Sequence, residues 1–120
     1  MLDQDFANHF ASEWVAAWNT HNLERILTHY SDDFEMTSPV INKLTGEVSG
    51  KLVGKTVVAA YWAKALLIFP ELHFELINTL VGVNSVCIYY QGVSGFVAEV
   101  FYFDQTGKVV KACAHYSALP

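Results

Sequence analysis

Positive charge is scarce in this chain of 120 residues: seven Lys and Arg stand against twelve Asp and Glu, a formal net charge of −5. No basic run occurs, so the electrostatic footprint of a nucleic-acid binder is missing. Cysteine is nearly absent. Cys87 and Cys113 lie far apart, each within an apolar strand-like run, and read as two small buried thiols rather than a disulfide framework. Long apolar stretches are lacking too, so nothing reaches the roughly 18 residues that a membrane span requires. The segment Met1-Leu2-Asp3-Gln4-Asp5-Phe6 has neither a basic nor an apolar leader region, which argues against secretion. The five histidines are scattered and form neither a His-Glu-x-x-His motif nor a tight His/Asp cluster. These absences lead to an acidic, globular, cytoplasmic protein. Neither a metal nor another cofactor is expected, nor a nucleic-acid or membrane partner.

What the chain does contain is apolar and aromatic. Hydrophobic residues make up 52% against 16% charged, enough for a core in one domain spanning residues 1–120. Aromatics reach 14%, more than a minimal core needs, and the surplus suits a cavity wall or a dimer face.

Phe6, Phe10, Trp14 and Trp18 recur every fourth residue, which predicts an amphipathic helix over 3–20 with Asp3 and Asp5 at its N-terminal end. Leu23, Ile26, Leu27 and Tyr30 mark a short second helix with Asn22 as its N-cap. Phe34–Ser38 alternates and stops at Pro39, the pattern of a short strand. Residues 40–54, with Gly46, Gly50 and Gly54, read as a mobile loop with at most a small hairpin, near a cavity mouth. Helical spacing returns from about Lys55 to Phe69 and ends at Pro70. After that the period is two, predicting strands at 73–82, 85–92, 96–104 and 108–117. Asp104-Gln105-Thr106-Gly107 is a tight turn. Helices followed by hairpin-linked strands imply an α+β fold with an antiparallel sheet covered on one face.

One residue breaks the pattern of the third late strand. Glu99 sits inside Phe96-Val97-Ala98-Glu99-Val100-Phe101-Tyr102-Phe103, otherwise an apolar strand. An unpartnered ionised carboxylate is prohibitively costly to bury. Glu99 is therefore either a pocket acid that holds a proton or a donor's bond, or an outward glutamate paired with Lys111. Pairing through a three-residue turn would put it beside Lys111 and Cys113; a bulge in the hairpin would turn it inward instead.

The order helix, helix, Tyr30-Ser31-Asp32-Asp33-Phe34, Ser38-Pro39, Gly54-Lys55, Phe103-Asp104-Gln105-Thr106-Gly107-Lys108-Val109 resembles the nuclear transport factor 2-like superfamily, in its SnoaL-like and ketosteroid isomerase-like branch. The resemblance covers nearly the whole chain. It implies a cone: a curved sheet wrapped around about three helices, with an internal cavity. It also implies a small apolar or carbonyl-bearing ligand. Members include isomerases, cyclases and dehydratases as well as non-catalytic binding or dimerisation modules, and fold alone does not choose among them.

The isomerases' tyrosine on the first helix is Trp14 here, and the base before the first strand's proline is Ser38. Their protonated aspartate corresponds to Glu99; their other tyrosines correspond to Tyr30 and Trp62. An acid held neutral by an apolar site is the established ketosteroid isomerase device, and Glu99 could share it. Ser38 cannot abstract a carbon-bound proton unaided, so the isomerase reaction as such is not expected.

Glu99 is thus the candidate catalytic residue. Trp14, Trp18, Tyr30, Ser38, Trp62, Tyr90, Phe101, Ala112, Ala114 and Tyr116 are the candidate ligand-binding residues. The bland alternatives are ordinary core for the tryptophans, packed phenols for Tyr90 and Tyr116, and turn chemistry for Ser38. In the last strand Val110, Ala112, Ala114 and Tyr116 are expected on the cavity side. Tyr89, Val100 and Tyr102 point the other way, and an apolar outer face implies a homodimer.

Overall fold

A computed structural model describes residues 1–120. Four helices come from the first 68 residues: α1 Gln4–Asn19, α2 Leu23–Leu27, α3 Pro39–Thr45 and α4 Lys55–Ile68. The six strands are β1 Tyr30–Thr37, β2 Lys51–Val53, β3 Glu75–Val81, β4 Ser85–Gln91, β5 Phe96–Phe103 and β6 Val109–Tyr116. They form one curved sheet in the order β2-β1-β6-β5-β4-β3.

Local chemistry explains the boundaries. Asp3 caps α1 by accepting the Phe6 amide at 2.8 Å, and Asn22 caps α2 through the Arg25 amide. The stripe Phe10, Trp14, Trp18, with Ala7, Ala11 and Ala17 beside it, is the buried face of α1. Pro70 follows the C-cap of α4.

Three expectations need correction. The sheet is mixed: β1 runs parallel to β6, with Met36 opposite Ala112 and Thr37 opposite Cys113. Residues 40–54 are not simply a loop. Ser38 caps a seven-residue helix there with Pro39 at its first position, and β2 then pairs with β1. There are consequently four helices rather than three. Tyr30 belongs to the start of β1 rather than to α2, because α2 closes at Leu27.

The inward set of β6 also differs by one residue. Phe103 pairs with Val109 but Tyr102 pairs with Lys111, so Val110 is the extra residue of a bulge. Val109, Ala112, Ala114 and the partly buried Tyr116 face the helices, while Val110 does not continue their alternation. The bulge sets Glu99 opposite Ala114 and moves Lys111 to the outer side.

Candidate active site in the sheet's concavity

Glu99 is 4% exposed, the only buried charged residue in the chain. It projects from the centre of β5, between Ile88 on β4 and Ala114 on β6. The Tyr90 hydroxyl donates to its Oε1 at 2.9 Å. No protein group bonds Oε2, and Glu99 lines a cavity of about 80 Å³. Burial raises the Glu99 carboxyl to about 7; the Tyr90 hydrogen bond, which favours the ionised form, opposes that rise.

The walls come from three directions. Trp14 and Trp18 stand on α1, and Tyr61, Trp62, Ala65 and Phe69 belong to α4 or its C-cap. Leu72 and Phe74 arrive from the segment before β3. That segment is fixed from the end of α1: Asn19 bonds both backbone groups of Phe74, and the His21 ring meets the Leu72 carbonyl at 2.7 Å. His21 sits at φ 59°, a left-handed conformation that turns the chain after α1. The mouth is bordered by Gly92–Gly95, Ala118 and Pro120.

A second polar group lies near Glu99. The Ser38 hydroxyl accepts the Val40 amide at 3.1 Å and donates to the Tyr116 hydroxyl at 3.4 Å. Burial pushes the Tyr116 phenol up to about 12, with the nearby Glu99 adding to the rise. Burial likewise raises Tyr61 and Tyr90. All these phenols stay protonated donors in the neutral range. Glu99 is the one group of the cluster that changes charge there.

Of the residues picked from sequence, Glu99, Trp14, Trp18, Trp62, Tyr90 and Tyr116 line this cavity together. The other five stand behind or beside it. Tyr30 sits one layer back, where its hydroxyl accepts the Trp14 indole N–H at 2.9 Å. Phe101 and Ala112 face each other across β5 and β6 at the closed end, where Phe10 and Trp14 pack edge-on against Phe101 and leave no space. Ala114 and Ser38 border a separate, shallow groove beside α3, and Ser38 serves as the helix cap. Sequence reasoning passed over Tyr61, Phe69, Leu72 and Phe74 as site residues. Tyr61, Trp62, Ala65 and Phe69 share one face of α4, and that spacing was the available signal.

A SnoaL-like domain model matches residues 11–117. The chain belongs to the SnoaL-like family. A SnoaL-like protein of unknown function from Burkholderia thailandensis E264 is 53% identical, covers 97% of this chain and 98% of its own, and superposes with a TM-score of 0.93. A candidate isomerase of the SnoaL-like family from Agrobacterium tumefaciens str. C58 is 17% identical over 96% of this chain and 100% of its own, with a TM-score of 0.77. An NTF2-like protein of unknown function from Cytophaga hutchinsonii ATCC 33406 is 15% identical over 98% and 95%, at 0.70. These last two share the fold. Among curated proteins none matches. For this SnoaL-like chain the family therefore fixes the architecture and leaves the chemistry to the cavity.

Proposed function

We propose that the protein binds a small, largely apolar, carbonyl-bearing molecule in this cavity, with the neutral Glu99 acid as hydrogen-bond or proton donor to the carbonyl oxygen. The carrying observation is a buried carboxyl with one oxygen held by Tyr90 and the other free toward an aromatic cavity. A carboxyl poised at about 7 can both give and accept a proton near neutrality, as isomerisation, cyclisation, dehydration and hydration require. Trp14, Trp18, Trp62, Tyr90 and Tyr116 form the binding walls in this reading. The enzyme reading competes with a non-catalytic binder, which the serine at the isomerases' base position favours.

1-Tetralone and its hydrocarbon tetralin test the proposal. 1-Tetralone should bind more tightly at pH 5.5 than at pH 8.5, tetralin equally at both, and Glu99→Gln should abolish the difference. Equal affinity of ketone and hydrocarbon at pH 5.5 refutes the site. Exchange of the ketone's α-protons in D₂O, accelerated by wild type but not by Glu99→Gln, supports catalysis. Binding without exchange leaves a ligand-binding module.

The outer sheet face supports a homodimer as part of the proposal. Tyr89 and Phe96 stack there at 5.8 Å, with Tyr102 and Leu80 also exposed. A symmetric partner would cover this apolar surface. Sedimentation showing only monomer at micromolar concentration contradicts it. The two unbridged cysteines support a cytoplasmic setting.

A further inference from the structure

The same cavity has an unbalanced charge. Among its 20 lining residues, Glu99 has the only side chain ionisable to a charged form near neutrality, and no Lys, Arg or His is among them; Lys43 of α3 stands outside the lining, its ammonium bonding the Pro120 carbonyl. The titratable side chains near enough to feel the Glu99 charge are Tyr90 from β4, Tyr116 from β6, Tyr30 from β1 and Tyr61 from α4, with Cys87 on the outer side of β4. All five are weak acids that stay neutral, so none supplies a positive charge. An ionised Glu99 would keep only the Tyr90 hydrogen bond as compensation.

Eight of the 20 lining residues are aromatic. Three are tryptophans: Trp14 lies 6.1 Å from Trp18 between ring centroids, and Trp18 lies 5.3 Å from Trp62 edge to face. Phe74 and Tyr90 continue the wall at 5.7 and 5.2 Å from Trp14. Aromatic faces carry negative potential and attract alkylated cations, tryptophan most strongly. A buried carboxylate inside such a wall lacks one complement, a positive group with an apolar skin.

We propose that the cavity is also a receptor for hydrophobic ammonium compounds, the aromatic rings packing around the alkylated nitrogen and the Glu99 carboxylate serving as its counter-ion. This rests on the Glu99 cavity of the function proposed above but uses the opposite charge state of Glu99. The ammonium competes with the proton for Glu99, so its binding strengthens as pH rises. The ketone's binding weakens over the same range. A substituted ammonium is favoured over a primary one, because the latter is more strongly hydrated and the cavity has no second acidic side chain to replace its water.

Benzyltrimethylammonium and its neutral isostere neopentylbenzene, titrated against the intact protein by tryptophan fluorescence, make the test. With Glu99 titrating at about 7, the ionised fraction predicts about thirtyfold tighter cation binding at pH 8.5 than at pH 5.5. Neopentylbenzene should bind equally at both. Glu99→Gln should weaken the cation roughly tenfold or more at pH 8.5 and flatten its pH profile; circular dichroism checks that the variant is folded. If the variant does not fold, the wild-type profiles of cation and isostere decide alone. The proposal is overturned if the cation fails to bind at pH 8.5, if the isostere matches it, or if affinity falls as pH rises. It is equally overturned if Glu99→Gln retains the profile. Ketone binding without cation binding removes this inference and leaves the proposed function; cation binding without ketone binding does the reverse.

Discussion

The concavity has two ends built by the same elements. At the closed end, Phe6 and Phe10 of α1 meet Phe101 and Phe103 of β5 edge to face, with centroids 4.8–5.1 Å apart in the cross-element pairs. At the open end, Trp14 and Trp18 continue the same helical stripe and Glu99 and Val97 continue the same strand alternation, yet a cavity remains. The difference lies in the strand. Two phenylalanines fill the space under α1, whereas a carboxyl and a valine do not. Large rings opposite large rings give close packing; large rings opposite short or polar side chains give a wall with room in front of it.

The contrast can be broken most forcefully at the closed end. Phe101→Ala should remove roughly 3–5 kcal/mol of stability, because Phe101 is fully buried and its neighbours come from α1 and two strands. Urea denaturation measures this, and a loss below about 1 kcal/mol would mean that the closed end is not close-packed.

Next comes Glu99→Gln at the open end. The native state raises this carboxyl, so its protonated form contributes stability that is fully present below 4.5 and is lost as pH rises through about 7. The interval corresponds to roughly 3 kcal/mol, which the variant should recover at pH 8 and not at pH 4. Denaturation at the two values checks both sign and size.

Tyr90→Phe sharpens the comparison. It removes the donor that favours the ionised carboxyl, so the Glu99 titration followed by NMR should move above about 7. Stability should fall by about 1–2 kcal/mol through the lost buried bond. Ser38→Ala removes the cap of α3 and should cost about 1 kcal/mol, with Ser38→Thr restoring it. Glu13→Gln is the smallest. Its bidentate pair with Arg25 at 2.9 and 3.0 Å is half exposed, so the urea midpoint at ordinary salt should hardly move.

Much of this arrangement was legible in the chain. The fourfold aromatic spacing marks α1, the switch to period two after Pro70 marks β3 to β6, and Glu99 stands out because a lone carboxylate interrupts an apolar strand. Other features left no periodic trace. Helix α3 is seven residues long and begins with proline, too short to show a stripe. The parallel pairing of β1 with β6 joins Thr37 to Cys113, a long-range choice that neither segment encodes locally. Phe74 becomes a cavity wall through Asn19, and no pattern in the segment before β3 announces that bond. Phe101 and Ala112 share the inward face with Glu99 as alternation requires, but depth along the concavity depends on which ring of α1 lies above them.

The extra residue in the β5–β6 hairpin makes the interior a matter of parity. Every position of β6 after Val110 is counted odd or even from that bulge. Regular pairing of the same residues, with Val110 taken into the ladder, would exchange the two sets: alanines would go out to solvent, and Lys111 would come in on the side of the carboxylate. The cavity's lack of positive charge is thus held by one irregular pairing as much as by the identity of any residue that lines it. The same residues in an unbulged hairpin would set a lysine on the inner face with Glu99 in place of a solitary acid.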